Sequence, residues 1–383
     1  MEQQQQPPLV LVNNGEDSDF YYATHFLTHD PALYIRFGEG DDVLVLNILE
    51  LERGRRTSAA KNVVDRADHG WEEDPDTYRS WAKLAARLLK ERDIDRVRVS
   101  AKLAAGYLEE LRGQDVAVEI EKQLFVRERR HKNADEAESI HGAQRAAEAA
   151  VSEVAGLLGS AEVVGGVLEL DGRPLTSERL MAAAQAALNE IGYGCEDMIV
   201  AGSPECWMPH YRGEGPIRAN APVIIDIFPR GRVSRYHGDL TRTIVVGEVP
   251  DVVRRMHEVV IQALDAAIAM IRPGVTGRAV NDEVCRVLKE GGFGAAFKGF
   301  EPPEGRPSMI HSTGHGVGLD VHELPNLRPT DVPLEEGDVV TVEPGLYLEG
   351  LGGVRVEDTG IVTSSGFRNF TSINRSLDPR AYM

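Results

Sequence analysis

The sequence predicts an α+β chain in two parts, a small α/β domain over residues 1–127 and a larger α+β domain over 128–383. Up to about residue 125, short apolar β-type runs alternate with amphipathic helical stretches; beyond it, long helices mix with paired β runs suited to antiparallel hairpins. Between the two lies a charged stretch, Arg127-Glu128-Arg129-Arg130-His131-Lys132, which reads as the join. With 383 residues and 42% apolar side chains, each part is long enough to bury its own core.

In chain order, 9–12 and 43–48 read as strands. Tyr78, Trp81, Ala85, Leu88 and Leu89 recur at helical spacing, and Asp74 before Pro75 supplies that helix with an N-cap and a first-turn proline. The runs 97–99 and 116–120 read as strands flanking a helix at 102–111. His25 and His29 share a possible helical face, but no other ligand chemistry lies near them and they read as structural. After the join, Asn133 and Glu136 form a capping-box pattern, and Ile140, Ala143, Ala147, Val151, Val154 and Leu158 make one apolar stripe of a long helix. Helices follow at 177–191 and 251–271, the second stopped by Arg272-Pro273-Gly274. The β-type runs are 223–228, 241–246, 339–342 and 353–362.

Lys plus Arg number 42 against 61 Asp plus Glu, a net charge of −19. Such a surface repels phosphate backbones and anionic headgroups, so neither nucleic acid nor a membrane is the expected partner. Cys195, Cys206 and Cys285 form no CxxC pair and no disulfide framework, which fits a reducing compartment. Residues 1–8 carry no basic segment and no apolar signal core, and no apolar run approaches the roughly 20 residues that span a bilayer. A soluble cytoplasmic protein is expected.

Chemistry gathers in four segments of the second domain. The first is a hairpin with one acid in each arm, Asp226 after Val223-Ile224-Ile225 and Asp239 before Leu240-Thr241-Arg242-Thr243. Placed opposite each other on antiparallel strands, the two would face the same side and repel unless a cation joined them. The second runs from His311 through Gly314-His315-Gly316 and Gly318 to His322-Glu323, with three of the chain's 11 histidines framed by glycines. The third and fourth are Val340-Thr341-Val342-Glu343 and Val354-Arg355-Val356-Glu357, each ending on an acid. Strand alternation sets Thr341 and Glu343 opposite Val340 and Val342, and Arg355 and Glu357 opposite Val354 and Val356. Taken alone, each acid reads equally well as a strand end or a solvated face. Together, two Asp, two Glu and one His make a hard oxygen-rich donor set suited to divalent Mn, Fe, Co or Zn, and two such ions would cancel the four carboxylate charges.

At these residues the sequence resembles the pita-bread metallopeptidase family, in its aminopeptidase P and prolidase (Xaa-Pro peptidase) branch, from Asn133 to about Thr371. The resemblance implies a pita-bread catalytic domain behind a creatinase-like N-terminal domain that shapes access or forms a dimer contact. It implies two divalent ions, Mn2+ first, with Co2+, Zn2+ or Fe2+ also suited, and no organic cofactor. Asp239 and Glu357 would bridge the ions, Asp226 would serve one, and His315 and Glu343 the other. His210 matches a substrate-side histidine, His322 the one that contacts the scissile carbonyl or shuttles protons, and His311 a pocket-lining one; Tyr347 and Arg355 would orient ligands. The implied reaction is hydrolysis of Xaa-Pro bonds at a peptide's N-terminus or in dipeptides, by a metal-bridging hydroxide with Glu343 as general base and then acid, in a homodimer. The spacing from Asp226 to Asp239 exceeds the family pattern by an even insertion, and Ile227-Phe228-Pro229-Arg230 replaces the usual small residues. That departure leaves open a non-peptidase hydrolase or lyase on the same centre; a silent binding protein of the same fold is a separate alternative.

Overall fold

The computed structural model describes residues 6–295 and 305–383. The chain divides into two compact units, Met1–Arg127 and Glu128–Met383.

In the first unit, β1 (Leu9–Asn13), β2 (Ala32–Gly38), β3 (Asp41–Leu46), β4 (Val63–Asp65), β5 (Arg96–Ser100) and β6 (Ala117–Glu121) form one mixed sheet, ordered β4-β3-β2-β1-β5-β6. Its helices are α1 (Ser18–Thr24), α2 (Ile48–Thr57), α3 (Thr77–Lys90) and α4 (Ala105–Gly113). Val10 and Val12 join a core with Trp81, Leu84 and Leu88 of α3, whereas Leu9 and Leu11 join another with Phe20, Phe26 and Tyr34. A strand buried on both faces shows as an unbroken apolar run.

Four local expectations are corrected here. The cap of α3 is Asp76, which accepts from the Tyr78 amide, and not Asp74, whose carboxylate accepts from the Asp76 amide one step earlier. The helix read at 102–111 starts at Ala105, because Ser100 folds the preceding residues into a turn by accepting from the amides of Lys102 and Leu103. The run 43–48 leaves the sheet at Leu46, since Asn47 accepts from the amides of Leu49 and Glu50 and starts α2. His25 and His29 share no helix face: His25 is the left-handed cap of α1, with φ of 48°, and His29 lies beyond it.

Short α5 (Val126–Arg130) leads into the second unit. There α6 (Ala134–Gly159) opens on the capping box of Asn133 and Glu136. With α7 (Ser177–Glu190) it encloses a core that takes Val223, Ile225, Ile227, Leu240 and Ile244. The helices α8 (Asp251–Met270) and α9 (Gly277–Glu290) enclose another with Val340, Val342, Val354 and Val356. The strands Ile199–Gly202, Pro222–Ile227 and Leu240–Val245 form an antiparallel sheet. Val200, Val223, Ile225, Ile227, Leu240 and Ile244 face the helices, so alternation turns Asp226 and Thr241 to the other side, where Ile224 packs with Ile199 and Tyr347. Thr341, Glu343, Arg355 and Glu357 are likewise turned away from α8 and α9.

The stretch 353–362, expected as one strand, is two. Gly352–Arg355 belongs with Gly345–Leu348 in a four-stranded sheet, and Asp358–Thr363 with Val339–Val342 in a five-stranded one. Pairing runs Val342↔Asp358 on one side of the step and Gly345↔Arg355 on the other. Glu343 and Glu357 sit on this paired crossing between sheets, released from both ladders. Among the described residues no helix is long and apolar enough to cross a membrane.

Candidate metal centre

The register pairs Asp226 with Thr241, so Asp239 is its diagonal neighbour on the same face and not its direct opposite. The intervening turn is widened by the pairing of Arg230–Gly231 with Tyr193–Gly194 and by the bridge Arg230↔His237. Asp239 is fixed by its backbone. Gln144 of α6 accepts from its amide and donates to its carbonyl, both at 2.9 Å, and Thr359 donates to the same carbonyl at 2.8 Å. Glu357 is held at its side chain by the Thr241 hydroxyl, 2.8 Å, and at its carbonyl by the wholly buried Arg242. Arg242 also pairs with Asp358 at 2.9 Å, beside Arg375. The backbone of Glu343 donates to the Thr313 carbonyl at 2.8 Å. Gly314 allows that packing, since a Cβ there would lie 2.1 Å from the Thr341 carbonyl oxygen.

Ligand atoms of Asp239, His315 and Glu357 all lie within 4.8 Å of one another. His315 Nε2 is 3.6 Å from Asp239 Oδ2 and 3.6 Å from Glu343 Oε1. Asp226 gives Oδ2 to Arg355 at 2.6 Å, while its buried Oδ1 has no hydrogen-bond partner. All five line one cavity of about 560 Å³, with His210, His311, His322, Arg355 and Phe228 also on its wall. His210 and His322 are exposed, and the His322 ring lies edge-on to His315 with centroids 4.2 Å apart. Arg355 donates to the Tyr347 hydroxyl at 2.8 Å, and that hydroxyl lies 2.7 Å from His311 Nε2.

Burial, and then repulsion from neighbouring carboxylates, Glu357 beside Asp239 and Glu343 beside Glu357, drive both carboxyls well above their usual range. Burial also pushes Glu343 up to about 8, against the pull of Arg355. Burial and the neighbouring His322 hold His315 down at about 3. Neutral His315 binds the Gly316 carbonyl through Nδ1, at 3.1 Å, so Nδ1 carries the hydrogen and Nε2 presents a lone pair. Its 3.6 Å contacts are therefore not ion pairs. The His315 lone pair and the carboxyl oxygens converge on one space, where burial and like charge oppose full ionisation of the acids. A divalent cation resolves that conflict, and the unpartnered Asp226 Oδ1 adds a further donor. Burial and Arg355 hold His311 at about 4, so with Nδ1 donating to Ser312 its Nε2 accepts from Tyr347, whose own hydroxyl burial raises to about 12.

Sequence reasoning missed Thr241, Gln144 and Arg242. Thr241 had a signal, being two residues from Asp239 and so on its face. Gln144, wholly buried between Ala143 and Ala147, broke the apolar stripe of α6. Arg242 carried none, because its partners lie more than a hundred residues away.

A carboxylate-rich centre between two helix-backed layers defines a metal-binding hydrolase fold, and the profile of metallopeptidase family M24 matches residues 138–364. The chain belongs to that family. It is 36% identical over 183 residues to the Xaa-Pro dipeptidase of Pyrococcus furiosus, covering 47% of this chain and 49% of that protein. It thus spans about half the length of the curated Xaa-Pro dipeptidases it matches. Among solved structures, the prolidase from Pyrococcus horikoshii OT3 superposes with a TM-score of 0.77 at 24% identity, over 97% of this chain and 95% of that one. An Xaa-Pro dipeptidase from Bacillus anthracis gives 0.80 at 23%, over 97% and 94%. These likenesses establish the fold, a pita-bread domain with its N-terminal companion.

Proposed function

We propose that this chain is a dinuclear metal-dependent exopeptidase that hydrolyses Xaa-Pro bonds at the N-terminus of peptides or in dipeptides. One observation carries the reading: the neutral His315 Nε2 and the carboxyl oxygens of Asp239, Glu343 and Glu357 converge on one cavity. The family membership and the Xaa-Pro dipeptidases among its relatives support the substrate class.

Asp239 and Glu357 would bridge two ions, Asp226 would serve one, and His315 and Glu343 the other. When bound, such ions acidify water toward neutrality and polarise a carbonyl. Glu343 accepts the proton of the attacking water and returns it to the leaving proline nitrogen. His322, exposed at the cavity wall, donates to the carbonyl oxygen as charge develops there. His210 borders the bound peptide from the same wall. Arg355, shared between Asp226 and Tyr347, fixes the Asp226 carboxylate, and Tyr347 links Arg355 to His311.

Mn2+ is the proposed ion, the oxygen-rich set favouring a hard cation. A homodimer, with residues 1–127 shaping access or forming the contact, is the proposed assembly. The cytoplasm is the proposed compartment, supported by three buried free cysteines.

The test is product analysis on Ala-Pro, Ala-Pro-Ala and Ala-Ala with Mn2+, and metal content measured on the same sample. Release of alanine from the proline peptides, lost on chelation and restored by Mn2+, is expected. A fully loaded protein that cleaves none of them would overturn the peptidase reading, and turnover of non-peptide amides would favour the alternative hydrolase.

A further inference from the structure

Two residues of the charged stretch read as a join, Arg129 and Lys132, are buried. Lys132 and Arg129 have side chains only 1% and 9% exposed. Both grip Glu323, the residue after His322: Lys132 Nζ lies 2.6 Å from Oε1, and Arg129 Nη2 2.5 Å from Oε2. Arg129 also reaches Asp320 at 2.8 Å. Glu323 can fold inward because residue 318 is glycine; a Cβ there would lie 2.3 Å from Glu323 Oε1. The Gly318 carbonyl accepts from the His237 amide at 2.8 Å, tying the same loop to the widened Asp226–Asp239 turn. The intervening Arg130 and His131 hold a different turn, through Asp338 at 2.6 Å and Glu335 at 2.6 Å, just before the strand that leads to Glu343.

Arg129, Lys132 and Glu323 are buried charges paired with one another, and a buried charge left without its partner is strongly unfavourable, which favours this arrangement of the loop 318–323. Its exposed member is His322. We propose that Arg129 and Lys132, acting through Glu323, are positioning residues that hold His322 against His315 and over the cavity. This rests on the reading that His322 serves the reaction.

The experiment uses Glu323→Gln, which keeps shape and removes the charge that the cations grip, in wild-type and His322→Ala backgrounds. A displacement of a reacting group by about 1 Å can cost about 100-fold, so a fall of about 10- to 100-fold in kcat with little change in KM is expected in the wild-type background. In His322→Ala, Glu323→Gln should cost nothing further. Equal losses in both backgrounds, or no loss in either, would overturn the proposal. Lys132→Met, which leaves Arg129 on Glu323, is the second variant should Glu323→Gln fail to fold, with the same outcomes expected. Histidine-ring NMR supplies a readout that needs no turnover: the His322 signal should move in the variant while the His210 signal stays. An unmoved His322 signal would contradict the proposal. Absence of peptidase activity in the unaltered protein would instead count against the proposed reaction, leaving the ring signal to decide positioning.

Discussion

Glu343 shows what burial without a cation does to one residue. Its carboxyl is raised to about 8 in the folded chain and returns to the ordinary range near 4.5 on unfolding. For an acid raised on folding, the folded state binds the extra proton between those two values, so this group costs stability as pH climbs from about 4.5 to 8. Chelated protein should therefore lose thermal stability from pH 5.5 to 8 more steeply than chelated Glu343→Gln. Parallel profiles in thermal melts would show that this carboxyl is not desolvated as described. Added Mn2+ should reverse the trend, because metal competes with protons for these oxygens. Tyr347 makes a second residue-scale case. Tyr347→Phe leaves Arg355 Nη1 and His311 Nε2 each short of a buried partner, and should destabilise by about 1–3 kcal/mol in urea unfolding. A neutral result would mean the hydroxyl is not the link between them. At this scale the ligand types were legible in the sequence, whereas Gln144 and Arg242 were not: neither has ligand chemistry, and each works through backbone atoms distant along the chain.

Among the elements, legibility followed periodicity in part, since α9 was not read despite its stripe of Val280, Val284 and Leu288. The long helices α6, α7 and α8 stand within a residue or two of where the apolar stripes and stop signals put them, since a one-sided stripe and a cap act locally. Strands β2 and β4 and the break inside 353–362 were not legible. Leaving one sheet for another at Val356-Glu357 depends on the neighbouring chain at Glu343-Pro344, a pairing that no local window contains. The hairpin register failed for a related reason: the count from Asp226 to Asp239 ignored the turn's pairing with Tyr193–Gly194. The α3 cap gives an element-scale prediction. Asp76→Ala should cost about 1 kcal/mol, the usual value of an N-cap, and Asp74→Ala less, measured by denaturant unfolding. The reverse order would restore Asp74 as the cap.

On the scale of the whole molecule, a net charge of −19 and a buried acidic cluster support the proposal that the folded chain takes up cations. Ligands that bind only the native state stabilise it by mass action, about 2.7 kcal/mol at a hundredfold excess over Kd. Both the fold class and the gathering of the five candidate residues at one cavity were readable because spacing along strands is a physical constraint, and the sheet crossing converts that spacing into proximity. The most direct test of the account is calorimetric titration of chelated protein with Mn2+ at pH 7. Two equivalents per chain should bind with release of protons, since Glu343 holds one at that pH, and Asp239→Asn should abolish at least one of them. Failure of the unaltered chain to bind Mn2+ saturably, or unchanged binding in Asp239→Asn, would contradict it.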